Sequence, residues 1–253
     1  MYELSANLEW LFGERDGVAE RVKAAADLGV PAVEIWGWRG RDVGGLELAL
    51  RETGVVLQTM CVDPMGTLVD PGTHDVFLEA VGESAALADR LGCPYLVITV
   101  GNERDGVSRQ EQRRAVVDGL RQAAEVLDGY EAVLLLENLN SRVDHVGTFL
   151  DSTVECLDIV DEVGSPHVKM LYDHYHSLVM GERPEVVLAG RVDRVGHVQT
   201  ADVPGRHEPG TGTVDWAHEL SVLRDLGYSG RIGLECMPTV GTVEALEYIR
   251  GLV

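Results

Sequence analysis

Three acidic side chains and one amide stand where an apolar run gives way to polar residues. Glu137 follows Leu134-Leu135-Leu136, Asp173 follows Met170-Leu171-Tyr172, Gln199 follows Val198, and Glu235 follows Leu234. Carboxylates crowded at one point cannot all stay ionised without compensation. A divalent cation supplies it: three carboxylates sum to about −3, and a bound dication brings the site to about −1. Oxygen donors favour a hard ion such as Mg2+ or Mn2+, with Co2+ tolerated. Zinc prefers nitrogen and sulfur. Any one of these carboxylates alone reads equally well as a helix N-cap or a surface charge. Four such residues on neighbouring strands are much harder to dismiss. His176, three residues beyond Asp173, is placed for a neutral imidazole to hydrogen-bond a substrate oxygen. His197 reads as a hydrogen-bonded core histidine.

The elements that must position these residues follow one repeating pattern. Strand runs are expected at 2–8, 32–38, 55–61, 95–101, 132–138, 168–176, 195–202 and 231–237. Several are continuously apolar, as strands buried on both faces of a parallel sheet are. Helical stretches lie between them, with apolar residues three and four apart at 76–91, 110–127 and 148–163, and with helix formers at 18–26. Four expected helices stop at a glycine, as in Leu91-Gly92-Cys93-Pro94 and Val163-Gly164-Ser165-Pro166. Eight strand-then-helix units in 253 residues predict an α/β fold, a (β/α)8 TIM barrel forming a single domain over residues 1–253. Such barrels carry their active sites at the C-terminal ends of the strands, where the four residues fall. The longest irregular stretch, 203–213, is expected to be a functional loop on that face.

Composition removes several function classes. The 42 acidic against 21 basic residues give a formal charge of −21. That surface repels phosphate backbones, so no nucleic-acid partner is expected. Only Lys23 and Lys169 are lysines; such a balance fits a GC-rich genome or a salt-adapted cytoplasm. No long apolar run predicts a membrane span, and no signal-peptide pattern opens the chain, so a cytoplasmic protein is expected. Cys61, Cys93, Cys156 and Cys236 form no metal-binding or redox spacing and read as reduced core thiols. No Gly-rich dinucleotide fingerprint follows the first strand.

At these residues the sequence resembles the hydroxypyruvate isomerase group of the xylose isomerase-like barrels. The matching segments are Glu137-Asn138-Leu139-Asn140 with Arg142-Val143-Asp144-His145, then Leu171-Tyr172-Asp173-His174-Tyr175-His176 and Gly233-Leu234-Glu235. The most specific runs from His197-Val198-Gln199-Thr200-Ala201-Asp202 through Val203-Pro204-Gly205-Arg206-His207-Glu208-Pro209-Gly210-Thr211-Gly212. Ser5-Ala6-Asn7-Leu8 and Glu34-Ile35-Trp36-Gly37-Trp38 also match. The resemblance implies a metal held by Glu137, Asp173, Gln199 and Glu235. It implies that Glu137 and Glu235 double as proton-transfer groups in an isomerase acting on a small α-hydroxy carbonyl compound through an enediolate. His176 then orients a substrate oxygen. Arg206 binds a substrate carboxylate, or else pairs with Glu208 at the rim. Glu34 and Trp36 shape one wall, although packing alone would account for Trp36.

Related ketose 3-epimerases carry histidine where this chain has Gln199, which favours the isomerase branch. Ketose 3-epimerase and oxo-tetronate isomerase remain as alternatives, followed by a non-catalytic sugar-binding barrel and an AP-endonuclease-like protein. Thr213 departs from the group, which has a glutamate there, and hints at a different substrate. The expected partner is a small molecule, and a homo-oligomer is left open.

Overall fold

A computed structural model of the chain describes residues 1–253. Eight strands form a closed parallel barrel in chain order: β1 (Leu4–Asn7), β2 (Ala32–Glu34), β3 (Val56–Cys61), β4 (Tyr95–Ile98), β5 (Val133–Glu137), β6 (Val168–Asp173), β7 (Val195–Thr200) and β8 (Ile232–Leu234). β8 closes the barrel on β1 through the pairs Leu4–Ile232, Ser5–Gly233 and Ala6–Leu234. All eight expected strands are present. The expected ranges overrun them, because the polar residues at the strand ends leave the ladder and turn into loops. The helices are α1 (Val18–Asp27), α2 (Val43–Thr53), α3 (His74–Leu91), α4 (Arg109–Leu127), α5 (Thr153–Val163), α6 (His174–Met180), α7 (Pro184–Val187), α8 (Trp216–Leu226) and α9 (Thr242–Arg250). None is long and apolar enough to cross a membrane. The left-handed residue that ends α3 and α5 is glycine, Gly92 and Gly164, where a Cβ would cost energy.

Strand alternation divides the interior in two. Leu134, Leu136, Met170, Tyr172, Val198, Ile232 and Leu234 point outward into the large core beneath the helices. Their neighbours Val133, Leu135 and Leu171 point into the barrel, where they pack with Tyr95, Val97 and Cys61. Glu137, Asp173, Gln199 and Glu235 have the inward parity. Burying each large aliphatic side chain contributes roughly 1.5–3 kcal/mol, so the outward set resists a register slip that would turn the carboxylates outward. Three cysteines are buried, Cys61 is half-buried, and all four are free thiols.

Two local expectations are corrected. Strand β6 ends at Asp173 rather than His176. Asp173 caps α6, its carboxylate accepting the Tyr175 backbone N–H at 2.8 Å. Helix α5 starts at Thr153 rather than Thr148, because the Ser152 hydroxyl accepts the Glu155 N–H and opens it there. Residues 138–152 are therefore a second long loop at the barrel mouth, comparable with the one between β7 and α8.

Candidate active site

A cavity of about 700 Å3 opens at the C-terminal ends of the strands, with Trp36, Asp63, Glu137, Asp144, His176, Arg206 and Glu235 in its wall. Below it a second cavity of about 30 Å3 touches Asn7, Glu137, Gln199 and Glu235. Glu137, Asp173, Gln199 and Glu235 are all buried. β5, β6, β7 and β8 deliver these four residues as consecutive staves, so the sequence-predicted set is brought together.

Glu235 is held on three sides. The Asn7 amide and the Trp36 indole N–H each donate to Oε1 at 2.8 Å, and Arg206 donates to Oε2 at 2.6 Å. Trp36 is therefore a hydrogen-bond donor to the site as well as part of its wall, and its ring stays 39% exposed. Glu137 makes no side-chain hydrogen bond; His176 Nε2 lies 3.8 Å from its Oε1. Burial, followed by the charges of Glu235 and Asp173, pushes the Glu137 carboxyl well above its ordinary range. Burial likewise raises Glu235 to about 7, with Arg206 opposing and Asp173 adding to the rise.

Arg206 sits deeper than expected. Glu208 is not its partner, since that carboxylate accepts from the Thr239 N–H and hydroxyl at 2.8 and 2.7 Å. The Arg206 guanidinium instead donates to Asp173 at 3.1 Å and to Glu235 at 2.6 Å. Its backbone is left-handed, at φ +56°. The loop carrying it is tied by Asp202, whose carboxylate accepts from the N–H groups of Val203, Gly210 and Val214 and from the Trp216 indole. Asp202→Ala strands buried donors and should cost about 1–3 kcal/mol. At roughly 2–4 °C per kcal/mol for a chain of this size, a thermal melt reads the loss directly. Thr213 bonds only the Val203 carbonyl at the base of the same loop, through its N–H and its hydroxyl. Its departure from the group's glutamate therefore meets none of the site carboxylates.

His176 occupies the first turn of α6. The Asn140 backbone N–H donates to its Nδ1 at 3.2 Å. The ring proton therefore belongs on Nε2, which lies 3.4 Å from Asp173. Burial lowers its pKa to about 4, so the ring is neutral near pH 7. Donor atoms of Glu137, Asp173 and His176 lie within 4.8 Å of one another. With its proton on Nε2, however, the imidazole has no lone pair to offer a metal there, and that N–H is buried without a hydrogen-bond partner. Glu34 corrects another expectation. It is fully buried below the cavity and takes no part in its wall; it accepts hydrogen bonds from His197, Gln199 and Ser5. His197 is the core histidine it was read as. Asn7, Asn140 and Asp202 were missed as supports. Glu-Asn-x-Asn and Ala-Asp in the matching segments were the only signals for the latter two.

The donor set fits a hard divalent cation. Three carboxylates converge with one guanidinium to balance them. The Oε1 atom of Gln199 is buried without a hydrogen-bond partner, while its amide nitrogen is engaged elsewhere. An orphaned carbonyl oxygen beside carboxylates of raised pKa is a ready ligand position.

The xylose isomerase-like TIM barrel family model matches residues 22–252. The chain is 31% identical over 256 residues to the hydroxypyruvate isomerase of Escherichia coli, covering 98% of each chain. It is 27% identical over 257 residues to the 2-oxo-tetronate isomerase of Cupriavidus necator, covering 99% of this chain and 98% of that one. The crystal structure of a Brucella melitensis AP endonuclease, family 2, superposes with a TM-score of 0.92 at 27% identity over 99% of both chains. Fold, strand-end carboxylates and likeness over nearly the whole length agree: the chain belongs to the hydroxypyruvate isomerase family of the xylose isomerase-like TIM barrels, and it is an isomerase.

Proposed function

We propose that this isomerase interconverts hydroxypyruvate and tartronate semialdehyde, or a close α-hydroxy carbonyl relative, with Glu137 and Glu235 as the proton-transfer pair. The observation that carries this reading is the pair itself: two buried glutamates bordering one cavity, both with raised pKa. A raised pKa makes a carboxylate a better base toward carbon, to the extent that a bound cation leaves the rise in place. A divalent cation held by Glu137, Asp173, Gln199 and Glu235 would supply Lewis acidity toward the substrate's carbonyl and hydroxyl oxygens.

The remaining work falls to the chain. One glutamate takes the proton from the carbon bearing the hydroxyl and the neighbouring carbon receives one, while the hydroxyl oxygen gives up its proton and the former carbonyl oxygen gains one, so carbonyl and hydroxyl exchange places. The neutral His176 Nε2–H is placed to hydrogen-bond a substrate oxygen. Arg206, already lodged between Asp173 and Glu235, presents its remaining donors to a substrate carboxylate. The strongly acidic surface argues against a DNA substrate.

A 2-oxo-tetronate is the second reading. The cavity of about 700 Å3 has room for more than three carbons, and the Cupriavidus relative carries that name. The test strips the protein with chelator and restores Mg2+ or Mn2+. Turnover is then followed on hydroxypyruvate, on a 2-oxo-tetronate and on a ketose panel. The expected result is turnover of hydroxypyruvate that vanishes with chelation and returns with the cation. Turnover of the tetronate alone moves the substrate to the second reading. Chelator-resistant turnover removes the cation from the proposal.

A further inference from the structure

Below the cavity, Glu34 stands at the end of β2 with none of its surface exposed. Its Oε1 accepts the Ser5 hydroxyl at 2.6 Å and His197 Nε2–H at 2.8 Å. Its Oε2 accepts the amide of Gln199 at 2.7 Å. The His197 tautomer is consistent with this, because Nδ1, left bare, has no partner. Three donors thus converge on the two Glu34 oxygens, and each oxygen serves as an acceptor. An acceptor-only neighbour dictates which end of a side-chain amide faces it. The NH2 of Gln199 must face Glu34, and its Oε1 must face away, where it is buried without a partner.

A second observation shows that room was left for this arrangement. Gly233 lies on β8 opposite the group. A Cβ there would lie 2.3 Å from Glu34 Oε1, 2.8 Å from His197 Nε2 and 3.0 Å from Gln199 Cγ. No larger residue leaves space for Glu34, His197 and Gln199 to meet. The glycine of Gly233-Leu234-Glu235 therefore serves the layer beneath the site, while the glutamate serves the site.

We propose that Glu34 is a positioning residue for the cation site, orienting the Gln199 amide so that its oxygen, not its nitrogen, faces Glu137 and Glu235. The proposal rests on the reading of Gln199 as a ligand. Outer partners of this kind typically change metal affinity by about 10–100-fold when removed. The substitution Glu34→Gln keeps size and shape. Its oxygen stays with Ser5 and His197, and its NH2 turns to Gln199. Two NH2 groups cannot bond each other, so Gln199 flips and presents nitrogen to the site.

Titration calorimetry with Mn2+ on the chelator-stripped protein, without substrate, is the test, with a thermal melt of each metal-free variant alongside. Glu34→Gln should melt as a folded protein and bind Mn2+ about 10–100-fold more weakly. The double variant Glu34→Gln/Gln199→Glu pairs a donor with an acceptor again, with the sides reversed, leaves an oxygen facing the site, and should recover affinity at or above wild type. Gln199→Glu alone adds the same carboxylate but sets two acceptors against each other; affinity there equal to that of the double variant would make the rescue a gain of charge and overturn the proposal. Wild-type affinity in the folded Glu34→Gln variant overturns the proposal. If the single variant does not fold, the double variant decides: folded with wild-type affinity supports the proposal, and folded without binding overturns it. Wild-type protein that binds no Mn2+ or Mg2+ overturns the cation reading itself, a failure visible before any variant is made.

Discussion

Glu235→Gln should lower kcat by about 10^2–10^4-fold, the usual worth of a positioned acid–base group. The fold should survive, because the amide oxygen still accepts from Asn7 and Trp36, the two donors now on Oε1. What changes is the face toward Arg206. An NH2 there cannot accept the bond now made at 2.6 Å, and it carries no proton that it can give up near neutral pH. Glu137→Gln should cost as much in kcat with still less structural consequence, since Glu137 has no side-chain hydrogen bond to lose. Steady-state kinetics on hydroxypyruvate, with exchange of the substrate C–H into deuterated water, separates the two roles. Loss of exchange in both variants is the expected outcome, with a melting temperature near wild type for Glu137→Gln and a lower one for Glu235→Gln, which gives up the Arg206 pair. A Glu235→Gln enzyme within threefold of wild type would remove that residue from proton transfer.

Arg206→Met should produce the largest stability change of any single substitution in the site, most of it in the metal-free protein. Removing one partner from a buried ion pair typically costs about 3–5 kcal/mol, because the other charge is left unpaired. At roughly 2–4 °C per kcal/mol, the metal-free melting temperature falls by about 6–20 °C. The loss should depend on pH with a definite sign. Burial already raises Glu235 to about 7, and Arg206 is what holds that rise down. Without the guanidinium the folded-state value climbs further above that of the unfolded chain. A carboxyl with a raised folded pKa contributes its stability below the unfolded value and loses it as pH rises toward the folded value. The variant should therefore melt closest to wild type near pH 5 and furthest from it near pH 8. Saturating Mn2+ should restore much of the difference, since a ligand that binds only the folded state stabilises it by mass action. A variant with an unchanged metal-free melt would mean that the three carboxylates do not need Arg206.

The features readable from sequence are those governed by local pattern. Leu134, Leu135 and Leu136 announce a doubly buried strand, and Glu137 after them marks its mouth. The same reasoning found all eight strands and the inward parity of Asp173, Gln199 and Glu235. It failed where local pattern and tertiary contact compete. Leu171-Tyr172-Asp173-His174-Tyr175-His176 is rich in aromatic residues and reads as a longer strand, yet Asp173 caps a helix in its midst. Phe149 and Leu150 lie at helical spacing from Thr153 and Leu157, but they are buried as loop residues ahead of the Ser152 cap. Sequence leaves Arg206 open between a substrate carboxylate and Glu208 two residues away, whereas its partners are 33 and 29 residues distant. Glu34 meets Gln199 across 165 positions of chain. No periodicity encodes such a meeting; it exists only once the barrel is round.

That roundness divides the labour between the two halves of the chain. The residues proposed to hold the cation all come from β5 to β8, while Asn7 and Trp36, which hydrogen-bond Glu235, and Glu34, which hydrogen-bonds Gln199, come from β1 and β2 and the loop after it. Glu235 reaches Asn7 across 228 positions. A chain emerging from the ribosome has Asn7, Glu34 and Trp36 long before Glu235, and it holds no finished site until β8 docks on β1. Cut between β4 and β5, it would leave Glu235 on one fragment and two of the three side chains that hold it on the other, so neither fragment should be active until the two are rejoined.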